Sequence, residues 1–461
     1  MGQIILIEGQ AGTGKTTRLL AKAKELGPIL VQREYQRVLA MSFMHGARRR
    51  LVDKFHADCP LLPTHITTID AFALDIVNRW RLILGFSLPV SIGTSRNSDD
   101  SLYSTLFGFS DVLGKAAELL ASSSVGRVIG DTFPLVVIDE FQDCDEGHIA
   151  LIEQLAKYST LVLAADRFQY LKAEGDSCPA LEWIERTAQS HDVAYEVLTT
   201  IHRTDQADIL QAAANLRSNC QIDGAIQPLI CPNAGPAAWK ILERLVLGWS
   251  GIRWTGSCAL LTVKRSDPLL IRTCQSLDKQ ASDRKYARYF TDRRAGIAWH
   301  QEVDESAECE QASSELCVLD HGIAVETLND LLIESLSPTA RQVRDRLLRF
   351  AQLKRLSHLP EALATGHIRQ AVHSARAFGR QQGKRIITTV HGAKNREFEH
   401  VIILWTKSVP PSRDLQRKLL YNAITRAKKD CLLLVIGNDR DVASSPVLKL
   451  LGEPLPVFPA R

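Results

Sequence analysis

The chain has 461 residues, of which 45% are apolar and 23% are charged, as in ordinary globular proteins. Its formal net charge of +4 does not by itself indicate a nucleic-acid binder, so any basic surface must be local. The ten cysteines form no Cys-x-x-Cys pair, which argues against a zinc or iron–sulfur site and fits a reducing compartment. The sequence has no signal-peptide pattern and no run of about twenty apolar residues, so we expect a cytoplasmic protein.

The first part of the chain alternates short apolar runs with amphipathic segments. Strands are predicted at Ile4–Ile7, Arg37–Phe43, His65–Thr68, Leu135–Ile138 and Thr160–Ala164. Helices are predicted at Thr16–Leu26, at Gly46–Phe55 and, with Asp70 as its N-cap, through Trp80. Continuous apolar strands that alternate with helices indicate an α/β fold, with a doubly wound parallel sheet covered by helices.

A second alternating set begins near Val197 and returns later in the chain. Its clearest predicted strands are Cys258–Val263, Arg385–Val390, His400–Leu404 and Cys431–Ile436. We expect two α/β domains, residues 1–195 and 196–461, with short insertions at about 89–131 and 282–382. The second insertion is predicted to be largely helical and to include a basic amphipathic helix at Ser337–Leu356.

The segment GQAGTGKT follows the first predicted strand and opens the first predicted helix. It fits the pattern G-x-x-x-x-G-K-[ST], whose glycines let backbone N–H groups converge on phosphate oxygens. Lys15 would reach the β- and γ-phosphates, and Thr16 would place its hydroxyl on Mg²⁺. The alternative is a glycine-rich turn that precedes a helix. The predicted nucleotide site comprises Gly9, Gln10, Ala11, Gly12, Thr13, Gly14, Lys15, Thr16 and Thr17.

The acidic segment DEFQD follows the strand Leu135–Ile138 directly. Ligands of open parallel sheets bind at the carboxyl ends of the strands, where these carboxylates would lie. Asp139 is therefore predicted to hold Mg²⁺ through its water shell, and Glu140 to act as the base for the attacking water. The alternative is a pair of solvated loop acids, which is common for one carboxylate after a strand and less so downstream of a phosphate loop.

Together with these two segments, six more in chain order resemble the motifs of a compact superfamily 1 DNA helicase of the UvrD/Rep type. They are MSFMHGARRRL (41–51), TTIDAFA (67–73), ADRFQ (165–169), LTTIHRT (198–204), TTVHGAKNREFEHV (388–401) and LLYNAITRAKK (419–429). The resemblance implies two RecA-like P-loop NTPase domains, with ATP and Mg²⁺ as cofactors. It also implies an ATP-dependent translocase or helicase that acts on single-stranded or partly duplex DNA. DEFQD resembles the UvrD branch, which implies 3′–5′ polarity.

The resemblance also assigns roles to single residues. Lys15, Glu140 and Gln169 would act on the γ-phosphate and the attacking water, while two arginine fingers, Arg203 and Arg426, would reach across the domain cleft. The nucleotide base and sugar would be contacted by His202 and Glu397. The residues implied to contact the nucleic-acid strand are Phe43, Arg48, Thr68 and His391.

Departures from the family pattern leave a second function open. No adenine-reading glutamine segment precedes the phosphate loop, His202 stands where a tyrosine is usual, and YLKAEGDSC follows Gln169 in place of an aromatic and arginine run. The alternative function is an ATP-gated DNA sensor that regulates a partner nuclease, as in compact UvrD-like subunits of phage-defence systems. A P-loop kinase is a third hypothesis, but it leaves Arg426 and the HGAK segment unexplained.

Two basic segments also allow alternative interpretations. Arg48, Arg49 and Arg50 together with Phe43 could bind a strand or form a solvated basic helix. The segment RKYARYFTDRR (284–294) could line a channel, or it could be an amphipathic surface whose aromatic side chains face a core.

Overall fold

A computed structural model describes residues 2–43, 45–92, 105–172, 177–189, 193–221, 226–247, 254–281, 299–301, 305–319, 321–378, 385–437 and 445–457. Within these ranges the chain forms two large sheets, of six and seven strands. Every pair of neighbouring strands in both sheets is parallel, which confirms the predicted fold class. No helix of the described residues is long and apolar enough to cross a membrane.

The first sheet has the strand order β3-β2-β6-β7-β1-β8. The strands of this half are β1 (Ile4–Gly9), β2 (Val38–Ser42), β3 (Thr64–Thr68), a short pair β4 (Val90–Ile92) and β5 (Thr105–Phe107), β6 (Leu135–Asp139), β7 (Thr160–Ala165) and β8 (Val193–Leu198). The helices are α1 (Lys15–Leu30), α2 (His45–Asp58), α3 (Ile69–Arg79), α4 (Phe109–Ala121), α5 (Ser123–Thr132), α6 (Glu146–Ala156) and α7 (Pro179–Ala188).

Both faces of the first sheet are covered by helices. Alternate residues of β1 enter two different hydrophobic clusters, Ile4 and Leu6 on one face and Ile5 and Ile7 on the other. Since successive side chains of a strand point to opposite faces, a strand buried on both faces is apolar throughout. This burial explains the continuous apolar runs that the sequence shows at β1, β2 and β6.

The second sheet has the strand order β11-β14-β10-β15-β16-β9-β17. The strands of this half are β9 (Leu229–Cys231), β10 (Cys258–Thr262), β11 (His300–Gln301), an antiparallel pair β12 (Ile323–Ala324) and β13 (His358–Leu359), β14 (Arg385–Thr389), β15 (Phe398–Trp405), β16 (Ala427–Ile436) and β17 (Leu455–Pro456). The helices are α8 (Ala207–Ser218), α9 (Ala234–Leu242), α10 (Pro268–Ala281), α11 (Glu305–Glu315), α12 (Val325–Asp330), α13 (Pro338–Lys354), α14 (Glu361–Phe378) and α15 (Arg413–Ile424).

The predicted second insertion forms a small helical unit with a hydrophobic core of its own, which includes Leu316, Val343, Leu347 and Ile368. The predicted basic helix is α13, and Ser337 caps it by accepting a hydrogen bond from the Ala340 amide. Helix α14 packs against α2, so this unit, inserted in the second half of the chain, contacts the first half. The basic aromatic segment 284–294 lies outside the described residues.

Several predicted elements differ from those observed. Thr68, and not Asp70, caps α3, because its side chain accepts a hydrogen bond from the Ala71 amide at 3.2 Å. Val197 does not begin a second set of strands, since it lies in β8, which pairs with β1 along its whole length. Helices α4 and α5 of the predicted first insertion bury their apolar side chains in the core of the first sheet. The domain boundaries themselves stay a prediction.

The Thr68 cap can be tested by substitution. Thr68→Ala removes the acceptor for the Ala71 amide, so we expect it to destabilise α3 by about 1 kcal/mol. Thr68→Ser keeps the hydroxyl and is the matched control. Hydrogen–deuterium exchange of the α3 amides measures the effect. Protection that is equal in the alanine and serine variants would contradict the capping role.

Candidate functional site

The glycine-rich loop lies at the carboxyl end of β1 and leads into α1. Gly12 and Gly14 both have φ +83°, a left-handed conformation that residues with a Cβ rarely adopt. A Cβ at Gly12 would also come 2.7 Å from Cβ of Arg203. The ammonium of Lys15 donates to the carbonyl oxygens of Gly9 at 2.9 Å and Gln10 at 3.1 Å, so it lies folded over the loop. This loop can receive phosphate oxygens on its amides and on Lys15.

Thr16 and Asp139 form the part of the site that fits magnesium. The Thr16 hydroxyl donates to the Asp139 carboxylate at 2.9 Å, although the two residues come from α1 and β6. Burial and the adjacent Glu140 carboxylate raise the pKa of Asp139, so a cation would favour its charged form. Among the described residues no group of three His, Cys, Asp or Glu side chains could hold a metal. A hydroxyl and one carboxylate suit Mg²⁺, which takes its remaining ligands from phosphate and water.

Glu140 lies in the left-handed region at φ 56°, directly after β6. Its carboxylate accepts a hydrogen bond from the Gln142 amide at 2.6 Å. Burial opposes its ionisation, but Lys15, Gln142 and Arg426 outweigh burial and lower the pKa of Glu140. An ionised carboxylate fixed beside the phosphate loop is suited to accept a proton from an attacking water.

Residues of the 198–204 segment lie directly against the phosphate loop. The His202 amide donates to the Gly12 carbonyl at 2.8 Å, and a Cβ at Gly14 would lie 3.8 Å from the His202 ring. The Arg203 guanidinium donates to Glu397 at 3.0 Å and to the Thr425 carbonyl at 2.9 Å. Arg203 is thereby tied to the second sheet while it borders the predicted nucleotide site.

Arg426 follows α15 and is 2% exposed. Its guanidinium donates to the Asn422 carbonyl at 3.0 Å and to the Thr425 hydroxyl at 3.4 Å. Burial, together with the nearby cations Arg203 and Arg50, lowers the pKa of Arg426 to about 9, while Glu140 opposes the shift. A phosphate anion beside Arg426 would compensate this concentration of positive charge.

Glu397 is the acidic partner of these cations. Burial alone would disfavour its charge, but Arg203 and Lys428 lower the pKa of Glu397 to about 2. Its contact with the nucleotide sugar stays a prediction.

Gln169 is buried in the 3-10 turn Arg167–Gln169 after β7, at the carboxyl edge shared with Asp139. Its proposed sensing of the γ-phosphate also stays a prediction.

Sequence reasoning missed a hydrogen-bond network centred on Tyr421 of α15. The Ala11 amide donates to the Tyr421 hydroxyl at 2.9 Å, and this hydroxyl donates to Asp166 at 3.3 Å. Arg217 of α8 pairs with Asp166 at 2.8 Å, and Gln142 accepts a hydrogen bond from the Asp166 amide at 3.0 Å. The network joins the phosphate loop, the DEFQD segment and the second half of the chain. The sequence shows only the tyrosine itself, within LLYNAITRAKK. The hydrogen-bond partners of this tyrosine come from distant segments of the chain.

Two more cross-sheet contacts were not foreseen. Lys394 of the HGAK segment pairs with the Asp143 carboxylate at 2.6 Å, and both side chains are at most 10% exposed. Arg50 of α2 donates to the Asn395 carbonyl. Arg50 was grouped with a strand-binding segment from the sequence, but its charge acts on Asp139, Glu397 and Arg426 at the nucleotide cleft.

The predicted strand-binding residues occupy different environments. Phe43 is half-buried just after β2, His391 is exposed after β14, and Arg48 donates to the Ile66 carbonyl at 3.1 Å. Thr68 is 2% exposed and serves as the cap of α3. Contact with nucleic acid stays a prediction for all four residues. The Lys172 ammonium lies 4.3 Å from the centroid of the Phe43 ring.

Lys15→Ala is expected to abolish nucleotide hydrolysis, because it removes the side-chain cation at the predicted phosphate cradle. Lys24→Ala on the exposed face of the same helix is the control and should retain wild-type turnover. Phosphate release from ATP measures both. Turnover by Lys15→Ala above one tenth of the wild-type rate would show that the loop is not the hydrolytic site.

Arg426→Ala is expected to leave ATP binding within a few-fold of wild type and to slow turnover about 10³-fold. The reason is that the negative charge that develops on the γ-phosphoryl group in the transition state would no longer be stabilised by the guanidinium. Arg413→Ala, at the exposed start of the helix that precedes Arg426, is the control. Fluorescent-nucleotide binding and steady-state turnover separate the two effects. Normal turnover by Arg426→Ala would mean that the site is not completed by the second sheet.

Comparison with known families agrees with this geometry. Residues 1–174 match an AAA domain, and residues 386–434 match the UvrD-like helicase C-terminal domain. No curated protein matches the sequence. The first match contains the phosphate loop and DEFQD, and the second contains the HGAK segment and Arg426. These two matches indicate a UvrD-like helicase, a DNA-dependent ATP hydrolase, with the AAA domain in the first half of the chain and the UvrD-like C-terminal domain in the second.

Proposed function

We propose that the chain moves 3′ to 5′ along single-stranded DNA, and that closure of the cleft between its two sheets drives each step of hydrolysis. The observation that carries the proposal is the contact between the phosphate loop and residues of the second half. The His202 amide and the Tyr421 hydroxyl both bind this loop directly. A strand that lies across both halves would therefore influence the geometry of the nucleotide site.

In this mechanism the first half holds the nucleotide and the second half completes the reaction centre. Lys15 and the loop amides hold the phosphates, and Glu140 accepts the proton of the attacking water. Mg²⁺, held at Thr16 and Asp139, would supply charge compensation between the β- and γ-phosphates. Arg203 and Arg426 stabilise the charge that develops on the transferred group, and such fingers contribute about 10³–10⁵ in rate.

The proposed polarity rests on resemblance. The DEFQD segment is similar to that of the UvrD branch, which implies 3′–5′ movement. The strand would pass the carboxyl edge of the first sheet near Phe43 and continue to the second half near His391. Opening and closing of the cleft changes the distance between these two contacts, and this change would advance the strand.

Polarity is tested with oligothymidine of increasing length that carries a fluorophore at one end. If the protein moves 3′ to 5′, the 5′-labelled series should show a signal whose lag grows with length after ATP is added. The 3′-labelled series should show an immediate decay. Lys15→Ala is the control without movement. A length-dependent lag only in the 3′-labelled series would reverse the proposed direction.

The second candidate is an ATP-gated DNA sensor that regulates a partner nuclease, for example in antiviral defence. The observation that favours this function is the position of Lys172. Its ammonium covers the Phe43 ring, and Lys172 lies in the segment after Gln169 where the family pattern has an aromatic and arginine run. ATP turnover that rises with DNA but gives no length-dependent lag in either series would favour the sensor over the translocase.

A further inference from the structure

Lys172 and Phe43 form a contact that no motif of the chain accounts for. Phe43 follows β2, and Lys172 lies just after the turn that carries Gln169. The Lys172 ammonium is 4.3 Å from the centroid of the Phe43 ring, well within the range of a cation–π interaction. The Lys172 side chain is 42% exposed, so solvent and ligands can reach it.

Neighbouring groups hold both partners in place. The edge of the Phe43 ring packs against His148, with centroids 5.2 Å apart and planes at 64°. His148 is itself fixed between Asp145 at 2.5 Å and Asp70 at 3.2 Å. These two hydrogen bonds orient the His148 ring, because a buried imidazole held from both sides has little freedom to turn. Phe43 is therefore a fixed platform whose ring is contacted by an exposed lysine side chain.

Lys172 also touches the segment that carries the catalytic carboxylates. Its ammonium donates to the Asp143 carbonyl at 3.2 Å and lies 3.8 Å from the Asp145 carboxylate. The side chain of Asp143 pairs with Lys394 of the second half at 2.6 Å. Lys172 thus connects the Phe43 platform to a residue that joins the two halves.

We propose that Lys172 is a strand-binding residue that exchanges ring for phosphate. Without DNA its ammonium covers the Phe43 ring, and when single-stranded DNA arrives, a base stacks on the ring and the ammonium moves to the adjacent phosphate. This inference rests on the proposed function, since it requires a strand beside Phe43. It gives a strand-binding role to Lys172, which lies in the segment after Gln169 where the family pattern has an aromatic and arginine run.

The exchange is favourable on general grounds. The cation–π contact of an exposed ammonium contributes little free energy, whereas a nucleobase stacked on the same ring contributes more. The displaced ammonium is then free to pair with a phosphate, which releases a counterion from the DNA. The same movement breaks the bond from Lys172 to the Asp143 carbonyl. Strand binding is thereby communicated to the segment that pairs with Lys394.

The test measures the affinity of the full chain for oligothymidine at several salt concentrations. Lys172→Met should weaken binding about five- to tenfold and reduce the slope of log affinity against log salt by about 0.7, the loss of one phosphate contact on a single strand. Lys172→Arg should restore both values. Lys157→Met is the matched control, because Lys157 is an exposed lysine at the end of α6, away from its N-terminal contacts with Phe43.

A second variant tests the exchange itself. If Lys172 covers the ring only without DNA, each single variant also removes a contact of the free protein, so the loss of affinity in the double variant should exceed the product of the losses from Lys172→Met and Phe43→Leu. An abasic strand should abolish the effect of Phe43→Leu and keep that of Lys172→Met. A double loss equal to the product of the two single losses would mean that the contact between Lys172 and the ring is the same with and without DNA, and would overturn the exchange.

A wrong role for Lys172 and a wrong proposed function would give different results. If the wild-type chain binds oligothymidine but Lys172→Met has the same affinity and salt slope, the role of Lys172 is wrong and the proposed function stands. If the wild-type chain neither binds the strand nor hydrolyses ATP faster in its presence, the proposed function fails and the inference fails with it.

Discussion

The contact between the phosphate loop and the second half of the chain is the interaction on which the site depends. Two backbone groups of the loop form hydrogen bonds with the second half. The His202 amide donates to the Gly12 carbonyl, and the Ala11 amide donates to the Tyr421 hydroxyl. Gly12 must lack a Cβ for this approach, because a side chain there would collide with Arg203. The geometry of the nucleotide site is thus set jointly by both halves.

The charges at this contact favour an anionic ligand. Lys15, Arg50, Arg203 and Arg426 converge where Glu397 and the DEFQD carboxylates are the main counter-charges. Burial strengthens each of these interactions and lowers the pKa of Arg426 to about 9. A nucleotide phosphate would relieve this repulsion between cations. Since Arg203 and Arg426 belong to the second half, this relief would be greatest when the two halves are in contact, so nucleotide binding would favour closure.

The sequence predicted the parts of the site that are local in the chain. The spacing of GQAGTGKT predicted the loop with Thr16, and the acids directly after an apolar strand predicted the position of Asp139 at the carboxyl edge of the sheet. What it missed depends on contacts between distant segments. Tyr421 binds an amide 410 residues away, and Lys172 packs on the ring of Phe43, which follows β2. Thr68 is the cap in place of Asp70 because the helix starts two residues earlier than predicted, and no periodic pattern fixes a helix boundary that closely.

The central claim is that a strand acts on hydrolysis through this contact between the halves. The most direct test is ATP turnover by the purified chain with and without single-stranded DNA at fixed magnesium. The account predicts that DNA raises turnover at least about tenfold, since closure places the second-half arginines on the phosphates. A rate that is the same with saturating DNA as without it, while the strand is bound, would contradict the account.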